Sequence, residues 1–172
     1  MNKFIFSALI GTVVLTACNE NKSTDTVAAD AAVITVPAPA VVDTLTNILI
    51  VSDNEMKDDS VFKDGSIPTS WANAGITDVR GLKLFLKQAQ QWVMNNEKQK
   101  LAAAIKYPLK SFKNEEELIA AYDTVFTKEV KLSFATINFN QIFRNQKGVM
   151  TEGGKVWINQ FGKDFKIFAI NN

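Results

Sequence analysis

The feature of this chain that most restricts its fold is a change in the spacing of its apolar residues near Lys131. From Asp78 onward, Val79, Leu82, Phe85, Leu86, Ala89, Trp92 and Val93 recur at three- and four-residue steps, which puts them on one face of a helix with Asp78 as its N-cap. That helix is expected to end near Asn95 and Asn96. A short second helix is expected over residues 96 to about 106, with Leu101, Ala104 and Ile105 as its apolar face; Tyr107-Pro108 stops it, because proline lacks an N–H and restricts its predecessor. Asn114, followed three residues later by Glu117, opens a third helix running to about residue 126, with Leu118, Ile119, Tyr122, Val125 and Phe126 inward. Beyond Lys131 the period becomes two. Short runs at 141–145, 149–151, 155–160 and 165–171 are separated by the turn signals Gln146-Lys147-Gly148, Glu152-Gly153-Gly154 and Gly162-Lys163-Asp164. A meander of about four antiparallel strands must cover its apolar face, and the preceding helices are the available cover, so the fold class is α+β.

The amino-terminal segment is of another kind. Lys3 precedes an apolar run from Phe4 through Leu15, which ends at Cys18 and the polar Asn19-Glu20-Asn21-Lys22. A bilayer span needs roughly 20 apolar residues, so this run has instead the charged and hydrophobic regions of an export signal over residues 1–17. Cys18 is the one cysteine of the chain, and an unpaired cysteine in an exported protein calls for a chemical role. Leu15-Thr16-Ala17-Cys18 resembles the bacterial lipobox. That resemblance implies cleavage before Cys18, a diacylglycerol thioether on its sulfur, and a membrane as the first partner. Each buried lipid methylene contributes about 0.8 kcal/mol, so the acyl chains of such an anchor hold stably. Asn19 stands where an aspartate would signal inner-membrane retention, which by resemblance to enterobacterial sorting points to the periplasmic face of the outer membrane, with the inner membrane or cell surface as alternatives. Residues 18–47, poor in aromatics and containing Pro37-Ala38-Pro39, read as a flexible tether, and residues 48–77 as an irregular extension. Within this region, residues 45–51 are either a short strand or the apolar end of the tether.

Residues 78–172 resemble the NTF2-like superfamily, a cone of curved antiparallel strands around a helical layer. The residues that carry the likeness are Leu84-Phe85-Leu86 to Val93, Ile105-Lys106-Tyr107-Pro108-Leu109, Phe112-Lys113-Asn114, and the carboxyl-terminal runs Phe143 to Met150, Gly153 to Ile158 and Phe165 to Ile170. The resemblance implies an NTF2-like cone with amino-terminal helices packed on the sheet, and a homodimer through the open sheet face.

Composition narrows the chemistry. The chain carries 19 basic and 18 acidic residues, and Lys3 leaves with the leader, so the mature protein is formally neutral. Nucleic-acid binding leans on an excess of Lys and Arg, so nucleic acid is not an expected partner. There is no histidine, which removes the usual neutral-pH base and the commonest zinc ligand, and lipidation would occupy the one thiol. No catalytic residue, metal site or cofactor is expected. Asp123 beside Tyr122 is the surviving base candidate, yet adjacent helical residues point in different directions, so an inward Tyr122 leaves Asp123 in water. The acids Asp53, Glu55, Asp58, Asp59 and Asp64 fail the EF-hand spacing and read as a solvated loop. Gly153 and Gly154 read as a hairpin turn or bulge, not a phosphate cradle. In a cone that is incompletely filled, Trp92, Tyr122 and Trp157 would line a small apolar pocket with polar tips that orient a ligand. The expected function is a membrane-anchored, non-catalytic binding or accessory module with a protein partner. A periplasmic immunity protein against a bacterial toxin and a carrier of a small apolar ligand are the alternatives, and an isomerase or hydrolase of the NTF2-like type ranks behind them.

Overall fold

The computed structural model describes residues 49–172; the leader, Cys18 and the tether assigned to residues 18–47 lie outside the described residues. Among the described residues, six α-helices and then four strands follow one another in two blocks. The helices are α1 (Asp53–Met56), α2 (Val79–Met94), α3 (Lys98–Ala103), α4 (Glu115–Ala120), α5 (Tyr122–Val125) and α6 (Lys128–Ala135). The strands are β1 (Phe143–Asn145), β2 (Gly148–Met150), β3 (Val156–Phe161) and β4 (Asp164–Ile170), paired antiparallel in the order β1-β2-β3-β4. The architecture is therefore α+β. No helix of the described residues is long and apolar enough to cross a membrane.

Local chemistry explains the helix ends. The Asp78 side chain accepts from the Gly81 N–H at 2.8 Å and starts α2, which closes at Asn95 with Asn96 in the left-handed region. A Cβ at position 81 would collide with the Asp78 carboxylate, so this cap needs glycine there. At α4 the Asn114 side-chain Oδ1 accepts from the Glu117 N–H at 3.0 Å, while the Glu117 carboxylate reaches back to the Lys113 N–H at 2.8 Å, one residue ahead of the usual capping-box partner. The single third helix expected over residues 114–126 is instead two pieces broken at Ala121. There the Thr124 hydroxyl donates to the Ala121 carbonyl at 2.7 Å, beside the Val125 N–H that the same carbonyl accepts at 3.1 Å.

Helix α6 was not expected, and it corrects the period of two read just beyond Lys131. Thr127 caps it by accepting from the Val130 N–H, and Val130, Ser133 and Phe134 face inward. Val130, Leu132 and Phe134 alternate as a strand would, yet Leu132 is 57% exposed while Val130 and Phe134 are fully buried. The core lies between α2, α6, the α4–α5 pair and the inner sheet face, where Val149, Val156, Ile158, Ile167 and Ile170 are buried. Ile105 adds a single parallel bridge to Ile167 and covers part of the β4 edge.

Residues 49–77 carry one helical turn and little other regular structure, with no strand at 49–51, and particular side chains bond them to the domain. Val51, Phe62, Ala74 and Ile76 are buried. Asn140 donates its side-chain amide to the carbonyls of Asn54 and Lys57 at 2.7 and 2.6 Å, and Gln141 donates to Asp59 at 2.6 Å. Deeper, Asp58 is shared by two cations and an indole: Lys83 Nζ at 2.9 Å, Arg144 Nη2 at 3.3 Å and Trp71 Nε1 at 2.6 Å. The Lys83 side chain is fully buried, and the Arg144 guanidinium lies 4.0 Å from the Trp71 ring centroid.

This segment also makes the fold acid-sensitive. The Lys87 ammonium, with the Ser52 N–H and hydroxyl, holds the Glu55 carboxyl at about 2, far below its ordinary value. A carboxyl depressed in the folded state stabilises the fold above its unfolded pKa, and that stabilisation is lost as pH falls through the folded value. Stability should therefore decline between about pH 4.5 and 2. In Glu55→Gln that part of the curve should flatten, as measured by urea denaturation at a series of pH values; an unchanged slope would mean the Lys87 pair contributes nothing.

Candidate binding cleft

The feature best formed for binding is a cleft of about 250 Å³ where α2, the α6–β1 loop, β2 and residues 62–64 meet. Buried Leu86, Ile142, Val149 and Thr151 make its floor, half-buried Ile137, Phe143 and Met150 its walls, and exposed Lys63, Asp64, Asn138 and Glu152 its mouth. Each wall has a local cause. Leu86 comes from the core face of α2, and Phe62 is held against Phe143 with ring centroids 5.9 Å apart. The chain between β2 and β3 turns through a 3₁₀ turn at Glu152–Gly154, where Gly153 and Gly154 have φ of 67° and 71°, a conformation that costs a side chain several times what it costs glycine. A Cβ at 154 would meet the Met150 sulfur at 3.4 Å, an ordinary contact, so the backbone conformation is what favours glycine there.

The polar groups of the cleft are mostly occupied. Thr151 and Ser133 form a buried hydroxyl pair at 3.0 Å; Ser133 donates onward to the Val130 carbonyl and Thr151 accepts the Val156 N–H. At the mouth, the Ser66 hydroxyl and N–H hold Asp64 below the usual carboxylate range, so it stays ionised. Lys63 and Glu152 take part in none of the ion pairs among the described residues. An engineered apolar cavity of about 150 Å³ holds one benzene, six carbons, so a 250 Å³ cleft at similar packing accommodates about ten non-hydrogen atoms.

The three aromatic residues expected to line one pocket are not brought together. Tyr122 is 1% exposed, stacked on Phe126 at 4.7 Å and flanked by the Lys98 and Lys131 ammoniums; its hydroxyl has no partner, and burial, with Asp123 next, pushes it up to about 12. Trp157 lies on the outer sheet face, in register with Met150 and Phe143, and continues a file of ring contacts through Phe168 to Phe161. Trp92 sits edge-on to Phe85 in a separate groove shared with Leu84, Phe165 and Lys166. Spacings of 30 and 35 residues carry no information on these differences, because the three residues sit on different elements.

The other candidates resolve individually. Asp123 is exposed and held below its ordinary value chiefly by the Lys98 ammonium, the opposite of the raised carboxyl a neutral-pH base requires. The five acids of residues 53–64 disperse to separate partners: Arg80, Lys87, Lys83 with Arg144, Gln141 and Ser66. Among the described residues no group of three or more acidic or thiol side chains is placed to hold a metal ion. The cleft residues were missed because Phe62, Ile137 and Ile142 lie in irregular segments, where spacing carries no signal for a shared wall.

Comparison with known proteins finds no family model, no curated protein and no solved structure that matches the chain.

Proposed function

We propose that this chain is a lipid-anchored envelope protein whose NTF2-like domain binds a small apolar ligand in the cleft bounded by Leu86, Ile142 and Val149. The single observation that carries the reading is the cleft itself: apolar walls, a floor with its hydroxyl already paired, and polar groups confined to the mouth, which is the usual build of a small-molecule site. The helices-then-meander order supports the NTF2-like assignment. Leu15-Thr16-Ala17-Cys18 supports the anchor, with outer-membrane placement following from Asn19. Under the same reading, the half-buried file Trp157, Phe168 and Phe161 is where a second copy would pack.

Calorimetric titration with 1-decanol, whose ten carbons match the cleft, tests the binding claim. Saturable one-to-one binding is expected, and Met150→Trp, which fills the cleft from β2, should abolish it while leaving the denaturation midpoint in place. Ile137→Phe fills the same space from the α6–β1 loop and guards against a folding defect in the first variant. Decanol binding unaffected by both would place the ligand elsewhere. The anchor is tested separately by metabolic labelling with a palmitate analogue: Cys18→Ser should lose the label, and equal labelling of variant and parent would remove the lipid from the account.

A further inference from the structure

The polarity of the cleft restricts its occupant further than size does. The one floor hydroxyl has its proton engaged: Ser133, buried next to it, donates to Val130, so Thr151 donates to Ser133, and the Thr151 oxygen already takes the Val156 N–H. A polar ligand atom pushed to the floor would lose its water and gain at most the second lone pair of Thr151, which is costly, so the inserted end is apolar. The space suits about ten non-hydrogen atoms, too few for a sterol or a two-chain lipid.

The head group is left at the mouth, where one cation, Lys63, faces two anions, Asp64 and Glu152. Asp64 is kept ionised by Ser66. The ring of charge around the opening is therefore net negative. Resting on the reading of the cleft as a ligand site, we infer that its ligand is a slender amphiphile: one unbranched apolar chain of about ten carbons inserted tail first, carrying an uncharged or cationic head. A free fatty acid of the same length is disfavoured by the charge at the mouth.

The test is a calorimetric comparison of decylamine, 1-decanol and decanoate at low ionic strength on the folded wild-type protein and on Glu152→Lys, whose exposed side chain lies outside the core. Two like or unlike charges a few ångströms apart at a wet surface change affinity by about tenfold, less as salt is added. Decylamine should bind about tenfold more tightly than decanoate, with decanol between them, and the preference should invert in Glu152→Lys, whose mouth is net positive. Affinity should also rise from six to ten carbons and level off beyond. Decanoate binding as well as decylamine, or an order unmoved by Glu152→Lys, would overturn the head-group inference while leaving the cleft as a binding site. Binding by none of the three would overturn the cleft reading itself.

Discussion

Asp58→Asn should destabilise the domain by about 3 kcal/mol, because it strands two buried cations. The Lys83 side chain is fully buried and Arg144 nearly so, and both turn to the one carboxylate of Asp58. Removing one partner of a buried ion pair costs about 3–5 kcal/mol, and the lower end applies here because 23% of the Asp58 side chain remains exposed. Asparagine keeps the shape and can still accept from Trp71, so the loss reports charge more than packing. Lys83→Met placed in the Asp58→Asn background should recover part of the stability, since it removes one stranded ammonium and fills the same space. A urea midpoint that moves by less than about 1 kcal/mol equivalent in Asp58→Asn would show that water already neutralises the cluster.

The second large effect discriminates a helix from a strand at residues 128–135. Phe134→Ala should cost about 3–5 kcal/mol, since a fully buried aromatic leaves a cavity between α6 and α2 when it is truncated. Leu132→Ala should change stability by no more than about 0.5 kcal/mol, because its side chain stands in solvent. Were this stretch a strand, Val130, Leu132 and Phe134 would share a face and the two substitutions would cost similar amounts. Equal losses in urea denaturation would therefore contradict the helix.

These two positions also show what the sequence can and cannot disclose. Helix α2 was legible because seven apolar residues fit one helical stripe and Asp78 is a strong cap. The four strands were legible within one or two residues because glycine-bearing turns separate them. Helix α6 was hidden because Thr127-Lys128-Glu129-Val130-Lys131-Leu132-Ser133-Phe134 satisfies an alternating pattern as well as a helical one, and tertiary packing chose between them. The break at Ala121 falls inside a run whose apolar spacing is helical on both sides, so periodicity does not encode it.

The cleft was less legible than the fold. Trp92, Tyr122 and Trp157 were natural choices by residue type, but an aromatic side chain can serve a core, a sheet face or a groove, and these three serve one each. The residues that do form the cleft are ordinary aliphatics joined by contacts between elements far apart in the chain, such as Phe62 with Phe143. The pinning of residues 49–77 by Asp58, Asn140 and Gln141 is equally non-local, so a stretch read as an irregular acidic extension became a wall of the site.

Native mass spectrometry of the protein purified gently from its native cells, beside the Met150→Trp variant from the same cells, tests the central claim most directly. The account predicts that the wild-type protein retains a small non-covalent molecule that the filled-cleft variant lacks. An adduct of the same mass on both proteins, or on neither, would contradict it.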